Sequence, residues 1–104
     1  MLSTEPLTIR GIMAEIDVSV AGADEWVVEV REGGSSSRHT VTLDGAALER
    51  FGGGAPAERL LEESFRFLLE REPKEAILRR FEISVIGRYF PEFESEIRKR
   101  VGGS

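Results

Sequence analysis

The sequence predicts an α+β domain: a three-stranded antiparallel β-meander followed by one long and several short α-helices packed on one sheet face. Three observations carry this. Apolar residues recur with period two as far as Leu43 and with helical spacing beyond it. The connections in the first half are short, which suits antiparallel neighbours. Strand-like and helix-like segments are segregated along the chain rather than alternating. The 104 residues make one domain. A chain of this length buries roughly two-thirds of its unfolded surface and needs no disulfide or metal to fold.

Taken in order, residues 1–12 lack the pattern of a signal peptide. They read as a disordered extension, or Met13 is the native start; the alternative is an early start of the first strand through Leu7 and Ile9. The domain proper spans 13–101, and 102–104 form a frayed end. Ile16, Val18 and Val20 alternate with polar residues and give a half-buried strand. Ala21 to Asp24 form a turn. Trp26, Val28 and Val30 repeat the alternation. Gly33 to Ser37 read as a mobile polar loop, and His39, Val41 and Leu43 place one face of a third strand inward.

In the second half, Ala46 to Phe51 suit one or two helical turns, and Gly52 to Gly54 break the chain. Pro56 fits the first turn of a helix that runs to about Glu72, where Pro73 ends it. A short helix is expected over Lys74 to Phe81, with Ile77, Leu78 and Phe81 on one face. Ser84 is placed to cap a helix over Val85 to Phe90. Pro91 restarts a last helix, in which Phe93, Ile97 and Val101 share a face. The expected core comprises Ile16, Val18, Trp26, Val28, Val30, Val41, Leu43, Leu61, Phe65 and Leu68.

The long helix is too apolar for a one-sided cover. Leu60, Leu61, Ser64, Phe65, Phe67, Leu68 and Leu69 span about 200° of arc, whereas a surface helix needs a stripe of little over 100°. It must touch two things. One is the sheet; the other is either the short helices that follow or a second copy of the chain.

Composition excludes several chemistries. There is no cysteine, so disulfides, thiolate metal sites and thiol nucleophiles are ruled out. One histidine rules out a multi-histidine metal centre within one chain. No cofactor or metal site is implied. Net charge is −5, which argues against general nucleic-acid binding. The basic groups Arg79, Arg80, Arg88 and Arg98, Lys99, Arg100 are interleaved with glutamates. No stretch approaches the ~20 apolar residues of a membrane span. His39 shares the parity of Val41 and Leu43, so it reads as a packed, hydrogen-bonded residue. Ser35, Ser36 and Ser37 beside it lie in the expected loop and preorganise no nucleophile. Gly52 to Gly54 ahead of a helix lack the Lys-Ser/Thr of a phosphate loop and read as a connector. The most distinctive string is Ile86-Gly-Arg-Tyr89-Phe90-Pro91, a compact aromatic knuckle.

The stretch Leu61-Glu-Glu-Ser-Phe-Arg-Phe-Leu-Leu-Glu-Arg-Glu-Pro-Lys-Glu-Ala-Ile-Leu78, with Ile83-Ser-Val-Ile-Gly-Arg-Tyr-Phe-Pro-Glu-Phe93, resembles the helical half of small uncharacterised bacterial proteins. The resemblance implies a bacterial, cytoplasmic protein and no particular activity.

No nucleophile–base or metal set can be assembled. The reading is therefore a non-catalytic protein-interaction or regulatory domain, not an enzyme. The alternative is a small-molecule-binding domain, or an accessory subunit of an enzyme, with a pocket between sheet and helices. The expected partner is another protein or a second copy in a homodimer, through a surface of Leu60, Phe67, Arg88, Tyr89 and Phe90.

Overall fold

The computed structural model describes residues 14–102. The extension expected over 1–12, the alternative start at Met13 and the last two residues lie outside them. Three strands, β1 (Glu15–Gly22), β2 (Glu25–Glu32) and β3 (Ser35–Thr42), form the antiparallel meander. A helical turn, α1 (Gly45–Ala47), continues as a π-helical turn over Leu48–Gly52. Then come the long helix α2 (Ala57–Leu69), a 3-10 turn (Lys74–Ala76), a fourth strand β4 (Arg80–Glu82), α3 (Val85–Tyr89) and α4 (Phe93–Gly102).

The α+β class stands, with one strand more than expected. β4 pairs parallel to β3, with Val41 opposite Phe81, and completes a mixed sheet of order β1-β2-β3-β4. The short helix expected over Lys74 to Phe81 is instead one 3-10 turn and an extended segment. The physical reason is tertiary. The Thr40 amide donates to the Arg79 carbonyl at 2.7 Å and the Ile83 amide donates to the Thr42 carbonyl at 3.1 Å, so the β3 edge captures the segment.

The loop expected over Gly33 to Ser37 shrinks to Gly33 and Gly34, whose φ values of 62° and 83° give a two-residue turn of the twist hairpins favour. Ser35 to Ser37 are already strand, paired with Val30, Arg31 and Glu32.

The register puts Ile16 beside Val30 and Ser37, Val18 beside Val28 and His39, and Val20 beside Trp26 and Val41 on one sheet face. Of the expected core, Val28, Val30, Val41, Leu43, Leu61, Phe65 and Leu68 are buried. Ile16, Val18 and Trp26 are half-buried and pack against the core.

All seven residues of the apolar arc of α2 are buried. Phe65 faces the sheet, its ring 5.2 Å from His39 and 6.1 Å from Phe81. Phe67 faces the other way, with its ring 5.2 Å from Phe93 of α4 and 6.0 Å from Phe90. Ser64, the one polar member, donates its hydroxyl to the Leu60 carbonyl at 2.7 Å and so enters the core satisfied. The second cover of α2 thus comes from its own chain. Leu60 and Phe67, expected on an interaction surface, are both 0% exposed, and the helix-to-helix pairing of two copies that the arc suggested has no free face to use.

Ser84 does not cap α3 as expected. Its hydroxyl donates to the Glu82 carboxylate at 2.9 Å. Asp44 does cap α1, accepting from the Ala47 amide at 2.8 Å.

Truncating Phe67 to alanine should lower stability by ~3–5 kcal/mol, the range for a fully buried aromatic. Chemical denaturation followed by circular dichroism measures it. Phe67→Glu should unfold the domain rather than yield a folded monomer, and a folded Phe67→Glu variant would contradict the packing.

Candidate functional site

Two polar anchors hold the segment between α2 and β4 against the open edge of β3. At one end the Lys74 ammonium is almost wholly buried and donates to Ser35 Oγ at 2.6 Å and to the Glu75 carboxylate at 2.8 Å. A buried charge is tolerated only when so partnered. At the other end His39 Nδ1 lies 2.8 Å from the Leu78 carbonyl. A carbonyl can only accept, so Nδ1 carries the proton. In the neutral ring Nε2 then accepts from the Ser37 hydroxyl, also at 2.8 Å. Both ring nitrogens are engaged within the fold, and the ring stacks tilted on Phe65. Ser37 and His39 have the spacing of a nucleophile and its base, but they lie on the inner face of β3 and do not line the apolar cleft described next. Their geometry serves the anchor.

The anchored segment forms one wall of an apolar cleft of about 440 Å3. Ile77, Leu78 and Phe81 stand on this wall. Val85, Tyr89 and Phe90 from α3 and its C-terminal end also line it, as does Leu68 of α2. Leu78 and Tyr89 are 47% and 67% exposed, unusual for large apolar side chains. The cleft has one charged lining residue, Glu72, half-buried just beyond the end of α2.

Phe90 is held from behind. Arg71 lays its guanidinium over Phe67, 3.6 Å from the ring centroid, and sits 6.0 Å from the Phe90 ring. It donates to the Phe67 carbonyl at 3.1 Å and to Glu92 at 3.0 Å. One arginine thereby caps the end of α2, covers Phe67 and ties down the chain after the knuckle.

Of the five residues expected on an interaction surface, the structure brings Tyr89 and Phe90 into this cleft. Arg88 is exposed but lines a different hollow with Arg50, Phe51 and Glu94. Leu60 and Phe67 are core. Sequence reasoning missed Leu78, Phe81 and Glu72 as lining residues. For Phe81 the signal was ambiguous: it alternates at period two with Ile83 and Val85, yet shares a helical spacing with Ile77 and Leu78.

Three of the six residues in the basic groups of the second half are paired with carboxylates. Arg80 pairs with Glu25 at 3.2 Å, Arg98 with Glu94 at 3.5 Å, and Arg100 with Glu70 at 2.7 Å. Gly53 and Gly54 take positive φ ahead of α2. Among the described residues, no helix is long and apolar enough to cross a membrane, and no group of three metal-ligating side chains converges. Comparisons with protein-family models, with curated proteins and with solved structures give no match.

Burial pushes His39 below the ordinary imidazole range, and the nearby Arg79 charge pushes the same way against the opposing effect of the Leu78 carbonyl. The folded state therefore binds this proton less readily than the unfolded chain. The stability His39 contributes is fully present above roughly pH 6.5 and is lost as pH falls below that value. Glu92, through its own backbone amide and Arg71, and Glu94, through Arg50, are held below the usual carboxylate range, so their contributions fade only in stronger acid. The urea midpoint should thus fall between pH 7.5 and pH 5.5. His39→Gln should lower the midpoint at pH 7.5 and flatten its dependence over that interval. A native midpoint that holds or rises at pH 5.5 would contradict the assignment.

Proposed function

We propose that this chain is a non-catalytic interaction domain whose cleft receives apolar side chains of a partner polypeptide, with a lysine or arginine of that partner meeting Glu72. One observation carries the reading: Leu78 and Tyr89, two exposed large side chains, line one apolar cleft. The lining is tied down by the Lys74 and His39 anchors and by the Arg71 clamp. A preformed site binds with less ordering of its own side chains, and exposed aromatics are favoured anchors. Glu72 is the charged group of the lining, so electrostatic complementarity calls for a cation.

A second reading, a binding domain or accessory subunit for a small apolar molecule, is supported by the cleft volume, which falls in the range of small-ligand pockets.

Selection from a random peptide library displayed on phage separates these readings. The proposal expects enriched peptides that combine a large apolar residue with Lys or Arg. Binding should fall at least tenfold in Leu78→Glu and in Tyr89→Ala, and severalfold in Glu72→Gln. Circular dichroism should confirm that each variant is folded. No enriched motif, or binding indifferent to all three substitutions, would overturn it. A small molecule retained by the native chain in native mass spectrometry and lost from Leu78→Glu would favour the second reading.

A further inference from the structure

We infer that β1 is a self-recognition edge, on which a second copy of the chain adds its own β1 antiparallel in one defined register, continuing two four-stranded sheets into one of eight strands. This stands independently of the cleft, which lies at the β4 end of the sheet.

Among the described residues β1 has a neighbour on one side only. The side on which its free backbone groups lie follows from the ladder. Thr40 donates its amide to Arg79, away from β2, so His39 and its partner Val28 bond each other. Antiparallel ladders alternate. Val28 therefore does not bond β1, and its β1 partner Val18 presents its N–H and C=O to the open edge. Ile16 and Val20 do the same. The side chains of these three residues form the β1 row of the apolar sheet face, and that row is incompletely covered: Ile16 and Val18 are half-buried and Val20 is 67% exposed. An open edge carrying an uncovered apolar row is where strand addition occurs.

The sequence of β1 selects the occupant and the register. A two-fold axis normal to the sheet keeps the apolar faces of both copies on one side and allows registers centred on Asp17, Val18 or Ser19. Centring on Asp17 sets two carboxylates directly opposite, which is destabilising. Centring on Ser19 carries the pairing into the irregularity between Val20 and Gly22. Centring on Val18 uses only the regular part of the strand. It sets Val18 against Val18, Ile16 against the exposed Val20, and Asp17 against Ser19, a donor for its carboxylate. Outward-facing backbone groups then meet each other, giving about six inter-chain hydrogen bonds. Asp17 and Glu15 are held by Arg31 at 2.7 and 3.0 Å, which reduces repulsion between the two copies. The homodimer expected from the helical arc is thus moved from α2 to the sheet edge.

Engineered thiols test the register, because the native chain has no cysteine. Val18→Cys should give a disulfide-linked dimer under mild oxidation, since directly opposite residues of a bonded pair lie about 5.5 Å apart at Cα. Ile16→Cys alone and Val20→Cys alone should not cross-link, but their mixture should. The native chain should sediment at twice 11.6 kDa at tens of micromolar. Val20→Lys, which alters a side chain already in solvent, should return it to 11.6 kDa with an unchanged circular dichroism spectrum. A native mass of one chain at all such concentrations would overturn the proposal. So would a folded Val18→Cys that stays uncross-linked, or equal cross-linking of all three single variants.

Discussion

The structure depends on one constraint: α2 carries an apolar arc about twice as wide as a single contact can cover. A helix of this kind has to sit between two layers. The four-stranded sheet supplies one layer, with His39 of β3 and Phe81 of β4 reaching Phe65. The chain after α2 has to supply the other, so it must cross the sheet edge, leave a short strand there, and return over Phe67 as α3 and α4. The order of elements in the second half follows from that requirement.

The crossing is also where polar chemistry concentrates. Between the end of α2 and β4 the crossing buries one large apolar side chain, Ile77. Lys74 and His39 provide the anchoring that apolar burial does not, each through hydrogen bonds spanning 39 residues of sequence. Fixing the segment in this way leaves Leu78 exposed in the cleft that Tyr89 also lines. The cleft is thus a by-product of how α2 is covered: one wall is the crossing, the other is the knuckle that turns the chain back.

The arc of α2 was legible residue by residue, because a 13-residue helix repeats its period often enough to define a face. The three meander strands were legible for the same reason. β4 was not, since three residues show one inward side chain, and Ile77, Leu78 and Phe81 also fit a helical spacing. The start of β3 was hidden differently. Ser35 and Ser37 face inward but are satisfied by Lys74 and His39, partners that a hydrophobic pattern cannot register. Of the candidate surface, Tyr89 and Phe90 were found because aromatics beside a glycine and a proline are a local signal. Leu60 and Phe67 were misplaced because sequence shows how wide an apolar face is, but not what covers it. Glu72 and Leu78 join the cleft through contacts that no local pattern carries.

If α2 is secured by cover on both sides from its own chain, α4 cannot open while α2 stays intact. Native-state hydrogen exchange, followed residue by residue in low denaturant, measures this most directly. The slowest amides of α2 and of α4 should exchange with one common opening free energy and one denaturant dependence, both equal to those of global unfolding. If α4 opened at far lower free energy while α2 kept full protection, the second layer would be dispensable and the account of the fold would be wrong.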